Sequence, residues 1–105
     1  RPATATFLLF VVSIAARECI VGPSDPGGIR ARVLDQSCQA IVLKSGEFSG
    51  NENCNLDVTR AVVISGAGPL ATVVNCEHRT RCLTVVGAKV TVQGVSFKKG
   101  SVIAD

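Results

Sequence analysis

The chain has 105 residues, eleven basic and eight acidic, for a formal net charge of +3. That length fits one domain at most, and so small a charge, scattered along the sequence, gives no basis for a nucleic-acid surface. Four Phe and no Trp or Tyr exclude an aromatic platform for single-stranded nucleic acid or for sugar rings.

The sequence begins at Arg1 without a methionine and stops at Asp105 straight after a strand-like pattern, so both ends read as cuts in a longer product. From Ala3 to Ala16 it runs ATATFLLFVVSIAA, uncharged and wholly apolar between Phe7 and Val12. Basic Arg1 precedes this run, and small Ser13, Ala15 and Ala16 follow its centre. Such a run is shorter than the ~20 residues that span a bilayer, and small residues at its end suit a leader peptidase. Residues 1–16 are therefore expected to be a signal peptide, cleaved after Ala15 or Ala16. The mature protein is expected to be secreted or held at the cell surface, with no transmembrane segment after the leader.

Cysteine usage agrees with export. Cys19, Cys38, Cys54, Cys76 and Cys82 all follow the expected cleavage site, at a density that oxidising compartments use. Zinc is not expected, because no C-x-x-C pair exists and His78 has only Cys76 and Cys82 near it. The five residues between Cys76 and Cys82 let the chain double back and bring the two Cα atoms within the ~4.4–6.8 Å that a bridge requires. A Cys76–Cys82 disulfide is predicted, with Cys38–Cys54 as the second, and Cys19 is left without an identified partner.

Residues 17–37 read as a linker or lead-in segment, with breakers clustered in GPSDPGG from Gly22 to Gly28. Only residues 29–41 could carry a short helix, with Ile29, Val33 and Ala40 or Ile41 on one side. Beyond them the chain is β-branched, alternating and punctuated by glycine. It also repeats. Leu56, Val58 and Ala61 match Leu83, Val85 and Ala88 at a spacing of 27, and Val62, Ile64 and Gly66 match Val90, Val92 and Gly94 at 28. A weaker copy, IVLKSG, places Ile41 and Leu43 at 21 before Val62 and Ile64. Periods of this size carried by strands indicate a solenoid.

Two turns are legible as strands Leu56 to Val58, Val62 to Ile64 and Thr72 to Val74, then Leu83 to Val85, Val90 to Val92 and Val95 to Phe97. Alternation points the Leu, Val and Ile side chains inward and Asp57, Thr84, Thr91 and Ser96 outward. Inner ladders such as Ile41–Val62–Val90 follow. A β-sandwich uses similar ingredients but has no reason to repeat Val-x-Ile/Val-x-Gly. The expected architecture is all-β, a right-handed parallel β-helix over residues 38–105, with two to three rungs and nothing cap-like after Gly100.

Across residues 38–101 the order I-V-L-K-S-G-E-F, L-x-V, V-x-I-S-G, T-V-V-N-C, R-C-L-T-V and V-T-V-Q-G-V-S-F-K-K-G resembles right-handed parallel β-helix proteins. It is similar to the pectin-lyase-like superfamily, and especially to the first rungs of polymorphic-outer-membrane-protein-like repeats. The resemblance implies a fold. It does not imply one activity, since such folds include polysaccharide lyases, hydrolases and adhesins.

Motifs with chemical potential are few. VVISGAGPLA, from Val62 to Ala71, mimics the strand and G-x-G-x-x-A of a dinucleotide site. That chemistry needs a helix after the glycines, and here the strand former Thr72-Val73-Val74-Asn75 follows. No cofactor is expected. Glu77, His78, Arg79 and Arg81 are the one cluster of catalytic residue types, and Arg79 or Arg81 could neutralise a substrate carboxylate in a lyase. Placed between Cys76 and Cys82, the cluster reads first as a solvated turn, as do Lys98 and Lys99. No Ser-His-Asp set can be assembled, and the isolated acids make no calcium site. No catalytic, cofactor or metal residues are assigned. The expected function is an extracellular scaffold, adhesin or surface-binding module, with polysaccharide or cell-surface components as partners. The alternative is the N-terminal part of a polysaccharide lyase or hydrolase whose active site lies on later rungs.

Overall fold

The computed structural model describes residues 17–78 and 81–104. The expected signal peptide, residues 1–16, lies outside them, as do Arg79, Thr80 and Asp105. The elements in chain order are β1 (Glu18–Val21), α1 (Gly28–Leu34), β2 (Ala40–Leu43), β3 (Gly46–Phe48), β4 (Leu56–Val58), β5 (Val62–Ser65), β6 (Thr72–Asn75), β7 (Leu83–Val85), β8 (Val90–Gln93), β9 (Ser96–Lys98) and β10 (Val102–Ala104).

These strands form three parallel sheets, in the orders β1-β2-β5-β8, β3-β6-β9 and β4-β7-β10. Each circuit of the chain lays one strand on each wall, and the whole is a parallel β-solenoid of about four turns. The expected two to three rungs were too few. β1 opens the first wall before residue 38, and β10 follows Gly100 and pairs with β7 in the register Val102↔Leu83.

Alternation decides what the walls enclose. Cys19, Ile41 and Ile64 stack inward on the first wall, Phe48 and Val74 on the second, and Leu56 and Leu83 on the third. Ile41, Phe48 and Val58 are wholly buried, and each such side chain contributes about 1.5–3 kcal/mol through burial. Val62 pairs with Val90 as expected, but Ile41 pairs with Ile64 and not with Val62. The register slips by two residues relative to the sequence match. Since side chains alternate with a period of two, the slip leaves Ile41 facing inward.

Residues 17–37 contain β1 and α1. The helix starts at Gly28, after the N-cap Gly27, both at positive φ, and ends where Asp35 turns extended. Ile29 and Val33, one helical turn apart, are its buried apolar side chains, and the helix packs against β1, β2 and β4. It thereby closes the N-terminal end of the core. The segment expected to continue as helix, Ala40 and Ile41, is instead β2, where pairing with β1 and β5 overrides local propensity.

A helix this short is marginal alone, and remote side chains complete it. The Ile29 amide donates to Asn53 Oδ1 at 2.9 Å, while Asn53 Nδ2 donates to the Ser49 carbonyl at 2.9 Å. At the other end, Arg60 donates to the carbonyls of Val33, Arg32 and Asp35 at 3.1, 3.1 and 2.9 Å. Arg30 reaches down to the carbonyls of Asn51 and Cys54, both at 2.7 Å. Both helix ends are thus satisfied from the first full turn of the solenoid.

Candidate functional site

Chemistry-bearing residues meet at the corner between the second and third walls. The described residues pass there three times, in residues 49–55, in 76–78 with 81–82, and in 99–101. The Cys76 amide donates to the Lys98 carbonyl at 3.0 Å, His78 to Lys99 at 2.7 Å and Cys82 to Ser101 at 2.8 Å. Glu77, His78 and Lys99 all sit at positive φ, which bends the chain tightly. Of the predicted polar cluster, this corner sets His78 against Lys99, binds the Glu77 amide to Asn75 Oδ1, and has the Arg81 carbonyl accept from the Asn55 amide at 2.7 Å. Arg79 lies outside the described residues.

Beside the corner, on the outer face of the second wall, lies a polar ladder that sequence motifs do not reveal. Asn75 Nδ2 donates to Glu47 Oε2 at 3.2 Å, and Lys98 Nζ lies 3.4 Å from Glu47 Oε1. Asn75 Oδ1 in turn accepts the Glu77 amide at 3.0 Å. The Asn75 hydrogen bond, with the Lys98 charge behind it, holds the Glu47 carboxyl below its ordinary value. A general base is most effective when poised near the working pH, with a free lone pair toward the substrate. Glu47 has neither, because both oxygens are engaged and its basicity is lowered. Glu47 and Asn75 are 28 apart, the same offset as the Val62–Val90 match, but in this wall Glu47 stands opposite Val73 and reaches Asn75 diagonally, so the period alone does not place the pair.

The cysteines pair differently from expectation. Cys19 is bonded to Cys38, with Cα atoms 5.6 Å apart, and Cys54 to Cys76, with Cα atoms 5.7 Å apart. Cys82 is a free, buried thiol, so neither Cys76–Cys82 nor Cys38–Cys54 is formed. The sequence separations of 19 and 22 are close to one turn, and residues one turn apart stack as neighbours. Cys54 and Cys76 come from successive passes through the same corner. Cys82 faces the Cys76 amide, and burial pushes its thiol up.

The remaining candidates resolve into structural roles. Gly66 and Gly68 lie at the corner leading from β5 into β6, so the glycines of VVISGAGPLA face a strand and no helix N-terminus. A groove between β1 and α1 is lined by Arg17, Glu18, Ile20, Arg32 and Asp35. Its Asp35 carboxyl is held below the ordinary value by the Ser37 hydroxyl and amide and lies 3.7 Å from Arg17. Among the described residues no three His, Cys, Asp or Glu side chains gather as metal ligands, and no helix is long and apolar enough to cross a membrane. Compared with protein-family models, curated proteins and solved structures, the chain matches none.

Proposed function

We propose that this chain is a non-catalytic binding scaffold that works outside the cell, presenting the outer walls of a β-solenoid to a polysaccharide or another cell-surface component. One observation carries the reading. The acid of the polar ladder on the second wall, Glu47, is engaged within that wall by Asn75 and Lys98. Two disulfides suit an oxidising compartment, and the apolar leader of residues 1–16 supplies a route to it. Within this architecture we place the chain with the pectin-lyase-like superfamily, on the sequence resemblance over residues 38–101.

Incubation of the protein with polygalacturonate and alginate tests the absence of catalysis. Neither unsaturated sugars nor new reducing ends are expected, and release of either would establish the lyase or hydrolase reading instead. Mass spectrometry of the exported chain tests the location. The mature protein should lack residues 1–15 or 1–16, and a secreted form still carrying Phe7 to Val12 would remove the leader from the argument.

A further inference from the structure

The corner between the second and third walls holds three cysteine sulfurs and one bond among them. Cys54 is joined to Cys76, while Cys82 keeps its thiol. All three side chains are buried. Backbone bonds hold Cys82 against the pass that carries Cys54. The Leu56 amide donates to the Cys82 carbonyl at 3.2 Å, and the Asn55 amide to the Arg81 carbonyl at 2.7 Å. The Cys82 thiol faces the backbone amide of Cys76, the residue that supplies one sulfur of the disulfide.

A buried cysteine by itself is a small apolar side chain. Two features set Cys82 apart. Its neighbour is a disulfide, and a disulfide sulfur is what a thiolate attacks. A place also exists for the sulfur that would leave. Cys54 Sγ lies 3.6 Å from the Asn75 carbonyl oxygen, a contact in which a bonded sulfur has no proton to donate and a released thiol has one. The Cys19–Cys38 bond has no free thiol in its turn. From this arrangement we infer that Cys82 is an internal exchange thiol, which moves the disulfide of this corner between two positions. The inference does not depend on the scaffold reading above.

In the step itself, solvent base takes the Cys82 proton and the thiolate attacks Cys76 Sγ. The Cys76–Cys82 bond forms as the Cys54–Cys76 bond breaks. The electron pair leaves on Cys54 Sγ, which takes up a proton and hydrogen-bonds to the Asn75 carbonyl. No oxidant or reductant is consumed. The move changes what the bond ties together. Cys54–Cys76 joins two successive passes through the corner, whereas Cys76–Cys82 closes one pass on itself. The pass set free, residues 49–55, is the one that holds the cap helix, through Asn53 to Ile29 and through the Asn51 and Cys54 carbonyls to Arg30. Exchange therefore removes the covalent tie between the capped turn and the turn that follows it.

The test is to hold the whole folded protein at graded pH, quench in acid, and map its disulfides after peptic digestion without reductant. A linked Cys76–Cys82 peptide should appear at a rate independent of protein concentration. That rate should be about tenfold higher at pH 8 than at pH 7, because only the thiolate attacks. The native bond spans 22 residues, whereas five lie between Cys76 and Cys82. The longer loop favours the native bond, so the exchanged form should settle at roughly a tenth of the protein. Cys82→Ser should abolish the product, and Cys19–Cys38 should stay intact throughout. Cys54→Ala removes the competing sulfur and should form Cys76–Cys82 in air, leaving no thiol. The native bond alone at every pH and time would overturn the inference, whether or not the alanine variant folds. So would a product that appears only in step with unfolding in urea, or only in linked dimers, where the attack comes from another chain.

Discussion

Gly66 stacks on Gly94 of the next turn so closely that neither could carry a side chain. A Cβ on Gly66 would lie 2.4 Å from the Gly94 carbonyl oxygen, and a Cβ on Gly94 would lie 2.6 Å from that of Gly66. The approach is held by hydrogen bonds from the Gly66 amide to Gln93 at 2.8 Å and from the Gly68 amide to Gly94 at 2.9 Å. The repeated glycine of Val-x-Ile/Val-x-Gly is thus a condition for turns to approach at this corner. Gly94→Ala, which also forces alanine to φ +69°, should cost about 2–4 kcal/mol. Gly50→Ala has a similar φ of +84° but open space around it, and should cost only about 1–2 kcal/mol. Equal losses in denaturant titrations would show that crowding between the two glycines is not what matters.

The N-terminal cap should depend on residues far from it in sequence. Asn53→Ala leaves the Ile29 amide and the Ser49 carbonyl without their partner and should destabilise by about 1–3 kcal/mol. Arg60→Ala removes three bonds to the end of α1. In native-state hydrogen exchange, both variants should lower protection in α1 before they affect β5 or β7. Uniform loss across the molecule would mean that α1 and the solenoid unfold as one unit.

Non-reducing peptide mapping should recover Cys19–Cys38 and Cys54–Cys76, with Cys82 as the one thiol. That thiol should react with an aromatic disulfide reagent only when the protein unfolds. The sign of its pH effect follows from burial. Cys82 titrates higher in the folded chain than in the unfolded one, so its contribution is complete below the ordinary thiol pKa of about 8.5 and is lost as pH rises beyond it. Cys82→Ser should flatten that alkaline decline. A thiol that reacts in the native protein as fast as in urea would contradict the burial.

The Glu47 ladder should show itself in acid. The carboxyl is held low in the folded state by Asn75 and Lys98, so its contribution is complete above the ordinary glutamate pKa. It is lost as pH falls through the lower folded value. Glu47→Gln should therefore lower the melting temperature at neutral pH slightly, and the gap between the two proteins should close at acid pH. Since the pair is exposed, high salt should narrow the gap as well. A gap that is the same at acid and neutral pH would assign the effect to shape and not to charge.

The strands of the two central turns were legible, because each is a short run in which apolar and polar residues alternate, whereas β1 and β10 were not read from the sequence. β4, β5 and β7, for example, occupy Leu56–Val58, Val62–Ser65 and Leu83–Val85, nearly as the alternation reads. The inward direction of Val62 and Val90 was also set by composition, since a period of two separates apolar from polar side chains whatever the fold around them. Register was not. Ile41 has plausible apolar partners two residues apart in Val62 and Ile64, and only the combined fit of three walls selects Ile64. Disulfide partners, the Asn53 cap and the Glu47–Asn75–Lys98 ladder were likewise decided by tertiary structure. Each joins residues about one turn or more apart, which become neighbours only after the walls have set how many residues a turn contains.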